Sequence, residues 1–215
     1  MNSQATTPLK RIADSTVRRL SLYLRFLEEF ETAGLTTVSS DELAARGGPT
    51  SAQVRKDLSF FGSFGKRGLG YQVAELPQSM RRILGLERDW RVIIVGVGKI
   101  GAALAQYEGF RQRGFRVVGL YDSDAAKVGR EIYHLPVRAI DSLAEDNREQ
   151  PVDIAVIAVP AAAAQRVVDQ VVAAGISGIM SFAPIQLPVR ADVTLNAVNM
   201  AMELERLSFA LSNRE

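Results

Sequence analysis

The pattern of apolar and polar positions along the chain changes near residue 90. Beyond it, short apolar runs alternate with helix-length segments; the runs are "RVIIVGVG" from Arg91, "FRVVGLYD" from Phe115, "VDIAVIAVP" from Val152 and "GISGIMSFAP" from Gly175. Continuous apolar runs are typical of strands covered on both faces. Because helical segments such as "AAAAQRVVDQVVAAG" lie between them, the pattern predicts an α/β Rossmann domain with a doubly wound, mainly parallel sheet.

The residues before position 90 follow a helical period instead. The segment "TVRRLSLYLRFLEEF" is amphipathic, and two shorter helices are expected over about 41–46 and 51–61. In the last of these, Val54, Leu58 and Phe61 recur at i, i+4 and i+7 and predict one buried face. Two capping boxes are predicted at the starts of the short helices, pairing Ser39 with Glu42 and Thr50 with Gln53.

A short helix, a glycine turn and a second helix are typical of a helix-turn-helix. On the second helix, Arg55, Lys56 and Ser59 are predicted to point away from the buried face. The following "GSFGKRGLGYQV" places Lys66 and Arg67 between residues suited to short strands, as in a wing whose basic tip meets phosphates or a minor groove. Each basic residue alone would also suit an ordinary solvated surface, but together they favour a winged-helix DNA-binding domain.

The first apolar run ends in the turn "GVGKIG", in which Gly96, Gly98 and Gly101 form G-x-G-x-x-G. Such glycines allow a tight turn, close approach of the backbone to a pyrophosphate, and close packing of helix on strand. The next helix, predicted over about 99–112, offers its N-terminal amides to the phosphate charge. Three residues complete the candidate turn: Val97, Lys99 and Ile100.

An acidic residue follows at the expected distance. Asp122 ends the second run, 21 residues after Gly101, where a carboxylate accepts a hydrogen bond from a ribose hydroxyl and repels a 2′-phosphate. The sequence therefore favours NAD over NADP. The alternative interpretation is that the glycine-rich turn is a purely structural turn in an α/β domain. Ligands bind at the carboxyl ends of such strands, which adds four candidate positions: Val159, Pro160, Ala183 and Pro184.

Composition narrows the chemistry. The chain has no cysteine and one histidine, His134, which we expect in a solvated connection between elements. No apolar stretch approaches ~20 residues, so we expect no membrane span. The lack of cysteine fits a cytoplasmic protein, and we expect no metal site. Residues 1–88 carry 13 basic and 9 acidic residues, whereas residues 89–215 carry 13 and 15, so any polyanion is expected to meet the first part.

The run "QVRKDLSFFGSFGKRGLGY" resembles the signature of the Rex family of redox-sensing transcriptional repressors, and the resemblance extends through "GVGKIG" and "SFAP" to the C-terminal helix. It implies a homodimer that binds an inverted-repeat operator in double-stranded DNA. It also implies that NADH binding releases the DNA, while NAD competes for the site. The cofactor would then be a signal rather than a reagent, which suits a chain with so little acid–base chemistry.

The resemblance also assigns residues near the nicotinamide. Tyr107 matches a family tyrosine that helps to sense the nicotinamide state, while Asn199 stands where the family commonly has aspartate and cannot make the same charged contact. The final apolar stripe, within 198–214, fits either a helix packed on its own sheet or one swapped into a partner, as the resemblance implies. We predict three parts: a DNA-binding domain over 1–86, a nucleotide-binding domain over 87–197, and a dimerisation helix over 198–215.

Two other functions suit the same pattern. The chain would also fit a small NAD-dependent oxidoreductase whose basic N-terminal module binds something else, although little chain is left to build a substrate domain. A regulatory domain that binds coenzyme A or another nucleotide is a third interpretation. Operator binding without turnover of NADH would favour the repressor.

Overall fold

The computed structural model describes residues 12–62, 64–65 and 69–213. The chain divides into two compact units, Met1–Arg88 and Asp89–Glu215. The three functional parts assigned from the sequence stay a prediction.

The first unit is built around a long helix, α1. Its elements are α1 (Asp14–Thr32), β1 (Thr37–Val38), α2 (Ser40–Gly47), α3 (Ser51–Ser59), β2 (Tyr71–Gln72) and α4 (Leu76–Ile83). Helix α1 turns Leu20, Leu24 and Leu27 into a core, where they meet Val54 and Leu58 of α3. Strand β2, which follows the predicted wing, pairs antiparallel with β1 ahead of α2. This arrangement confirms the winged-helix prediction.

The two predicted capping boxes have different outcomes. At α2 both bonds are present: the Ser39 hydroxyl accepts from the Glu42 amide at 3.1 Å, and the Glu42 carboxylate accepts from the Ser39 amide at 2.7 Å. At α3 Thr50 accepts from the Gln53 amide at 3.2 Å, but the Gln53 side chain donates to Asp57 at 2.7 Å. The predicted capping box at α3 is therefore wrong in one of its two bonds: the Gln53 side chain does not bond back to Thr50, because it donates to the buried carboxylate of Asp57.

The second unit carries a seven-stranded sheet. Its strands are β3 (Trp90–Val95), β4 (Phe115–Asp122), β5 (Glu131–Ile132), β6 (Leu135–Ala139), β7 (Ile154–Ile157), β8 (Gly178–Ser181) and β9 (Thr194–Ala197). They lie in the order β5-β6-β4-β3-β7-β8-β9, and every pair is parallel except the β5–β6 hairpin. Without that edge hairpin strand this is the doubly wound order, whose direction reverses between β3 and β7. The predicted Rossmann sheet is confirmed.

The helices of this unit follow the strands. They are α5 (Lys99–Ala105), α6 (Glu108–Gln112), α7 (Leu143–Glu149), α8 (Ala161–Ala173) and α9 (Met200–Ser212), with a 3-10 turn at Ile140–Ser142. The single helix expected over 99–112 is wrong, because Tyr107 has an extended backbone (φ −68°, ψ 102°) that ends α5 and starts α6. Its ring lies against Gly109, where a Cβ would come within 2.6 Å of it.

The C-terminal helix stands apart from the rest of the second unit. None of the residues in α9 is buried, and its large apolar side chains are open to solvent, Phe209 at 72% and Leu204 at 67%. The interpretation that this helix packs on its own sheet is therefore contradicted. Across the described part of the chain, no helix has the length and apolar character needed to cross a bilayer.

Candidate nucleotide and nucleic-acid sites

The glycine turn between β3 and α5 uses its three glycines differently. Gly96 has φ +93°, and a Cβ there would lie 2.7 Å from the Ala158 carbonyl oxygen. At Gly101 a Cβ would lie 1.9 Å from the Gly96 carbonyl oxygen, so only glycine allows the helix to approach the turn. A Cβ at exposed Gly98 would meet nothing within 4 Å. The first and last glycines therefore serve packing, while the middle one faces open space that a pyrophosphate can enter.

Asp122, at the end of β4, is held against this turn. Its carboxylate accepts from the Val97 amide at 2.8 Å, the Asp124 amide at 2.9 Å and the Lys127 ammonium at 2.9 Å. Burial raises the pKa of this carboxyl, but these hydrogen bonds outweigh burial and hold the pKa below its ordinary value. The group is therefore ionised at neutral pH. Lys127 was missed from the sequence; its signal was a cation five residues beyond the acid.

The residues predicted at the ends of the other strands differ in whether they are exposed near the turn or buried in the core. Val159 touches the turn, since a Cβ on Gly96 would lie 2.6 Å from its Cγ1, and Pro160 is exposed at the start of α8. Ala183 is buried in the core of the unit, whereas Pro184 beside it is exposed. In the turn itself, two side chains project into solvent, those of Lys99 and Ile100.

Tyr107 and Asn199 make local contacts. Tyr107 is 59% exposed and meets Phe110 edge-to-face at 5.2 Å between ring centroids. The side-chain oxygen of Asn199 accepts from the amides of Ala201 at 3.0 Å and Met202 at 3.3 Å, so this residue caps α9. An uncharged amide suffices for that cap.

The lone histidine lies at the tip of the β5–β6 hairpin. His134 and Tyr133 both have positive φ, at 64° and 51°, and the imidazole is 98% exposed with Glu131 at 3.5 Å. Its position agrees with the solvated connection expected from the sequence.

The recognition helix α3 exposes the predicted residues Arg55, Lys56 and Ser59. Arg55 donates to the Ser40 hydroxyl at 2.7 Å, and the Ser59 hydroxyl donates to the Lys56 carbonyl at 2.7 Å. Lys56 therefore has the more available cation for a groove. Lys66 and Arg67 lie outside the described residues.

The opposite face of α3 carries a buried ionic network that sequence reasoning missed. Asp57 is fully buried and accepts two bonds from Arg19, at 2.6 and 2.8 Å. It also accepts from the Tyr23 hydroxyl at 3.0 Å and the Gln53 amide at 2.7 Å. Burial raises the pKa of Asp57, but its donors outweigh burial and the pKa lies below its ordinary value. The network joins the recognition helix to α1.

A winged-helix unit and a Rossmann unit in one chain define a transcriptional regulator that responds to a nucleotide. The model of the family described as putative DNA-binding protein N-terminus matches residues 11–59, and that described as CoA binding domain matches residues 87–185. Within the described ranges, no group of three or more side chains suited to a metal ion occurs.

Relatives match over nearly the whole chain. The redox-sensing transcriptional repressor Rex of Carboxydothermus hydrogenoformans is 48% identical over 93% of this chain and 96% of its own length. That of Streptomyces coelicolor is 47% identical over 94% of this chain and 79% of its own length. The chain belongs to the Rex family of redox-sensing transcriptional repressors.

Solved structures agree. RSP, a Rex-family repressor, in complex with NAD⁺ and operator DNA is 35% identical, with a TM-score of 0.89 over 94% of this chain and 93% of its own. RSP in complex with NADH is 34% identical, with a TM-score of 0.86 over 94% of this chain and 95% of its own.

Proposed function

We propose that this chain is a repressor that binds inverted-repeat operator DNA as a homodimer and releases it when NADH binds, with NAD as the competing ligand. The observation that carries the proposal is the presence in one chain of an exposed basic recognition helix and a turn with space for a dinucleotide. Relatives over nearly the full length are named redox-sensing repressors. RSP has been crystallised in complex with NAD⁺ and operator DNA, and separately in complex with NADH.

The described residues fit the nucleotide. The open space at Gly98 suits the pyrophosphate, and the ionised Asp122 beside it suits a ribose hydroxyl. Val159 and the exposed Pro160 and Pro184 would line the site at the carboxyl ends of the strands, with Tyr107 and Asn199 toward the nicotinamide. When bound, the nicotinamide supplies the redox state that is sensed, and the residues of the chain only bind and orient it.

A sensing role without catalysis is consistent with the chemistry near the turn. The carboxylate of Asp122 is ionised and engaged with three donors, so it is a poor proton donor. The chain's one histidine lies at the tip of an exposed hairpin. We therefore propose that the protein is not an enzyme, and a repressor of this kind would act in the cytoplasm.

The homodimer is supported by two surfaces of the second unit. Helix α9 exposes six large apolar side chains: Met200, Met202, Leu204, Leu207, Phe209 and Leu211. The sheet carries an open apolar groove of about 310 Å³, lined by Val92, Phe110, Phe115, Ile154, Val156, Gly178, Ile179, Met180, Thr194 and Asn196. We infer that α9 of each copy covers apolar surface of the other, which would bury both surfaces in one symmetric exchange.

One titration tests the function. An operator-bound sample is titrated separately with NADH, NAD and coenzyme A while DNA release is followed by fluorescence anisotropy. We expect release by NADH, competition by NAD, and no effect of coenzyme A. Release by coenzyme A alone would favour the third interpretation, and NADH turnover with candidate carbonyl substrates would favour the oxidoreductase.

Gly98→Ala tests the nucleotide site. The residue has negative φ and open space, so the variant should melt at the native temperature. Its methyl group would occupy the space required by the pyrophosphate, and we expect NADH affinity to fall on the order of tenfold or more. If calorimetry finds native NADH affinity in the folded variant, the pyrophosphate does not bind at this position.

Removal of residues from Val198 onward tests the role of the C-terminal helix. We expect the winged helix to stay folded while NADH-sensitive operator binding is lost through loss of the dimer. Light scattering and an NADH titration of the DNA complex measure both effects, with Leu204→Glu compared against Glu205→Ala as a point-variant pair on α9. A truncated protein that stays dimeric and still releases operator would show that the signal takes another route.

A further inference from the structure

Lys127 forms an ion pair with the carboxylate that the nucleotide's ribose would meet. Its ammonium lies 2.9 Å from Asp122 Oδ2 and 3.9 Å from Asp124 Oδ2. The lysine side chain is 35% exposed, whereas that of Asp122 is 9% exposed. A ligand that hydrogen-bonds to Asp122 would therefore lie close to the Lys127 ammonium as well.

The hydrogen-bond capacity of this pair is only partly used. The carboxylate has about four acceptor sites, of which the two amides and Lys127 occupy three, so one remains for a ribose hydroxyl. An ammonium has three N–H donors, and one is engaged with Asp122. Lys127 can therefore donate to the same ribose or to a phosphate attached to it.

We propose that Lys127 is a specificity-determining residue of the ribose subsite. It hydrogen-bonds to the same ribose as Asp122, and it limits how strongly the site rejects a 2′-phosphate. The proposal rests on the proposed binding of NADH at the glycine turn. It goes beyond the role given to Asp122, because the ability to distinguish NADH from NADPH becomes a property of an ion pair.

The two members of the pair act in opposite directions. Asp122 and Asp124 place two negative charges near the 2′ position, and Lys127 compensates for one of them. Removal of the lysine leaves the carboxylates uncompensated, so NADPH should bind still more weakly relative to NADH. Removal of the Asp122 charge releases the ammonium, which can then pair with the 2′-phosphate.

Four proteins test this coupling: the native chain, Lys127→Met, Asp122→Asn and the double variant. Dissociation constants for NADH and NADPH are measured by calorimetry. We expect Lys127→Met to increase the preference for NADH on the order of tenfold and Asp122→Asn to decrease it by a similar factor, as for a partly buried charge pair. In the double variant most of the NADPH gain should disappear, because it requires the ammonium.

Arg130→Met is the matched control, since it removes the same charge from an exposed residue three positions further along. It should leave the preference unchanged. Equal changes in both dissociation constants for Lys127→Met, or equal NADPH affinity in Asp122→Asn and the double variant, would overturn the proposal. If Asp122→Asn melts below the assay temperature, Lys127→Met against Arg130→Met decides alone. A native protein that binds neither nucleotide would instead refute the proposed function.

Discussion

Among the described residues, each unit has one buried carboxylate with a lowered pKa, and the two carboxylates differ in the groups that donate to them. Asp57 receives four hydrogen bonds from the side chains of Arg19, Tyr23 and Gln53 and is 0% exposed. Asp122 receives two from backbone amides and one from Lys127, and is 7% exposed. Side-chain donors join helices and close the site, whereas amide donors fix a turn and leave room for a ligand. The pKa alone would not separate a structural acid from a binding one.

Substitution of Asp57, the carboxylate closed off by side-chain donors, should give the largest effect. Asp57→Ala leaves Arg19 unpaired in a site where it is 25% exposed, and we expect the first unit to lose about 3 kcal/mol of unfolding free energy. Operator binding should fall with it, while NADH affinity stays native. Denaturant unfolding measures the loss, with exposed Asp41→Ala as the control. Equal costs for both would show that the network does not stabilise the unit.

Lys56, next to Asp57 in sequence but exposed, sharpens the comparison within one helix. Lys56→Ala should weaken operator binding by about 1–3 kcal/mol if it contacts a base, without changing the unfolding free energy or NADH affinity. Mobility-shift titrations should show a larger loss than for Arg82→Ala, an exposed cation on α4. Unchanged operator affinity would show that Lys56 does not contact a base.

Substitution of Asp122, the carboxylate with room for a ligand, should affect the choice between nucleotides more than folding. Asp122→Ala should narrow the preference for NADH over NADPH on the order of tenfold, about 1.4 kcal/mol, because a 2′-phosphate no longer meets a carboxylate. Calorimetry with both nucleotides measures this preference, with Asp169→Ala, an exposed carboxylate on α8, as the control. A native protein that binds NADPH as tightly as NADH would refute the role of Asp122.

Acid should affect both carboxylates in the same direction. Their folded pKa values lie below the ordinary value of 3.8, so their stabilisation is complete above that pH and is lost as the pH falls through the folded values. We expect little pH dependence from either between pH 7 and pH 5. Below about pH 4, Asp57→Ala should give a shallower slope than native, by less than about 1.4 kcal/mol per pH unit. Parallel slopes in urea titrations would contradict the assignment.

Local patterns predicted most of the fold. Buried strands and helix faces such as Val54–Leu58 depend on neighbours along the chain, and the periodicity identified them. The helix break at Tyr107 was missed because the apolar period continues through it, whereas the extended backbone there and the contact of its ring with Gly109 are features of the folded chain.

The candidate site divides in the same way. Glycine spacing placed the turn and Asp122, but Lys127 and the Arg19–Asp57 pair depend on where side chains meet in space. The pair is separated by 38 residues, and an acid between Lys56 and Leu58 reads as one more polar position on a surface. Ala183 stays a prediction, and its burial shows that a strand end can also place its side chain in the core.

The exposed apolar surface of α9 has a consequence for the concentration of the protein. If only a second copy covers this helix, folding and association share one equilibrium, and mass action makes the melting temperature rise with chain concentration. Each tenfold dilution would then cost a dimer about 1.4 kcal/mol of apparent stability. Operator occupancy at a fixed NADH level would depend on the copy number of the repressor as well as on the nucleotide ratio.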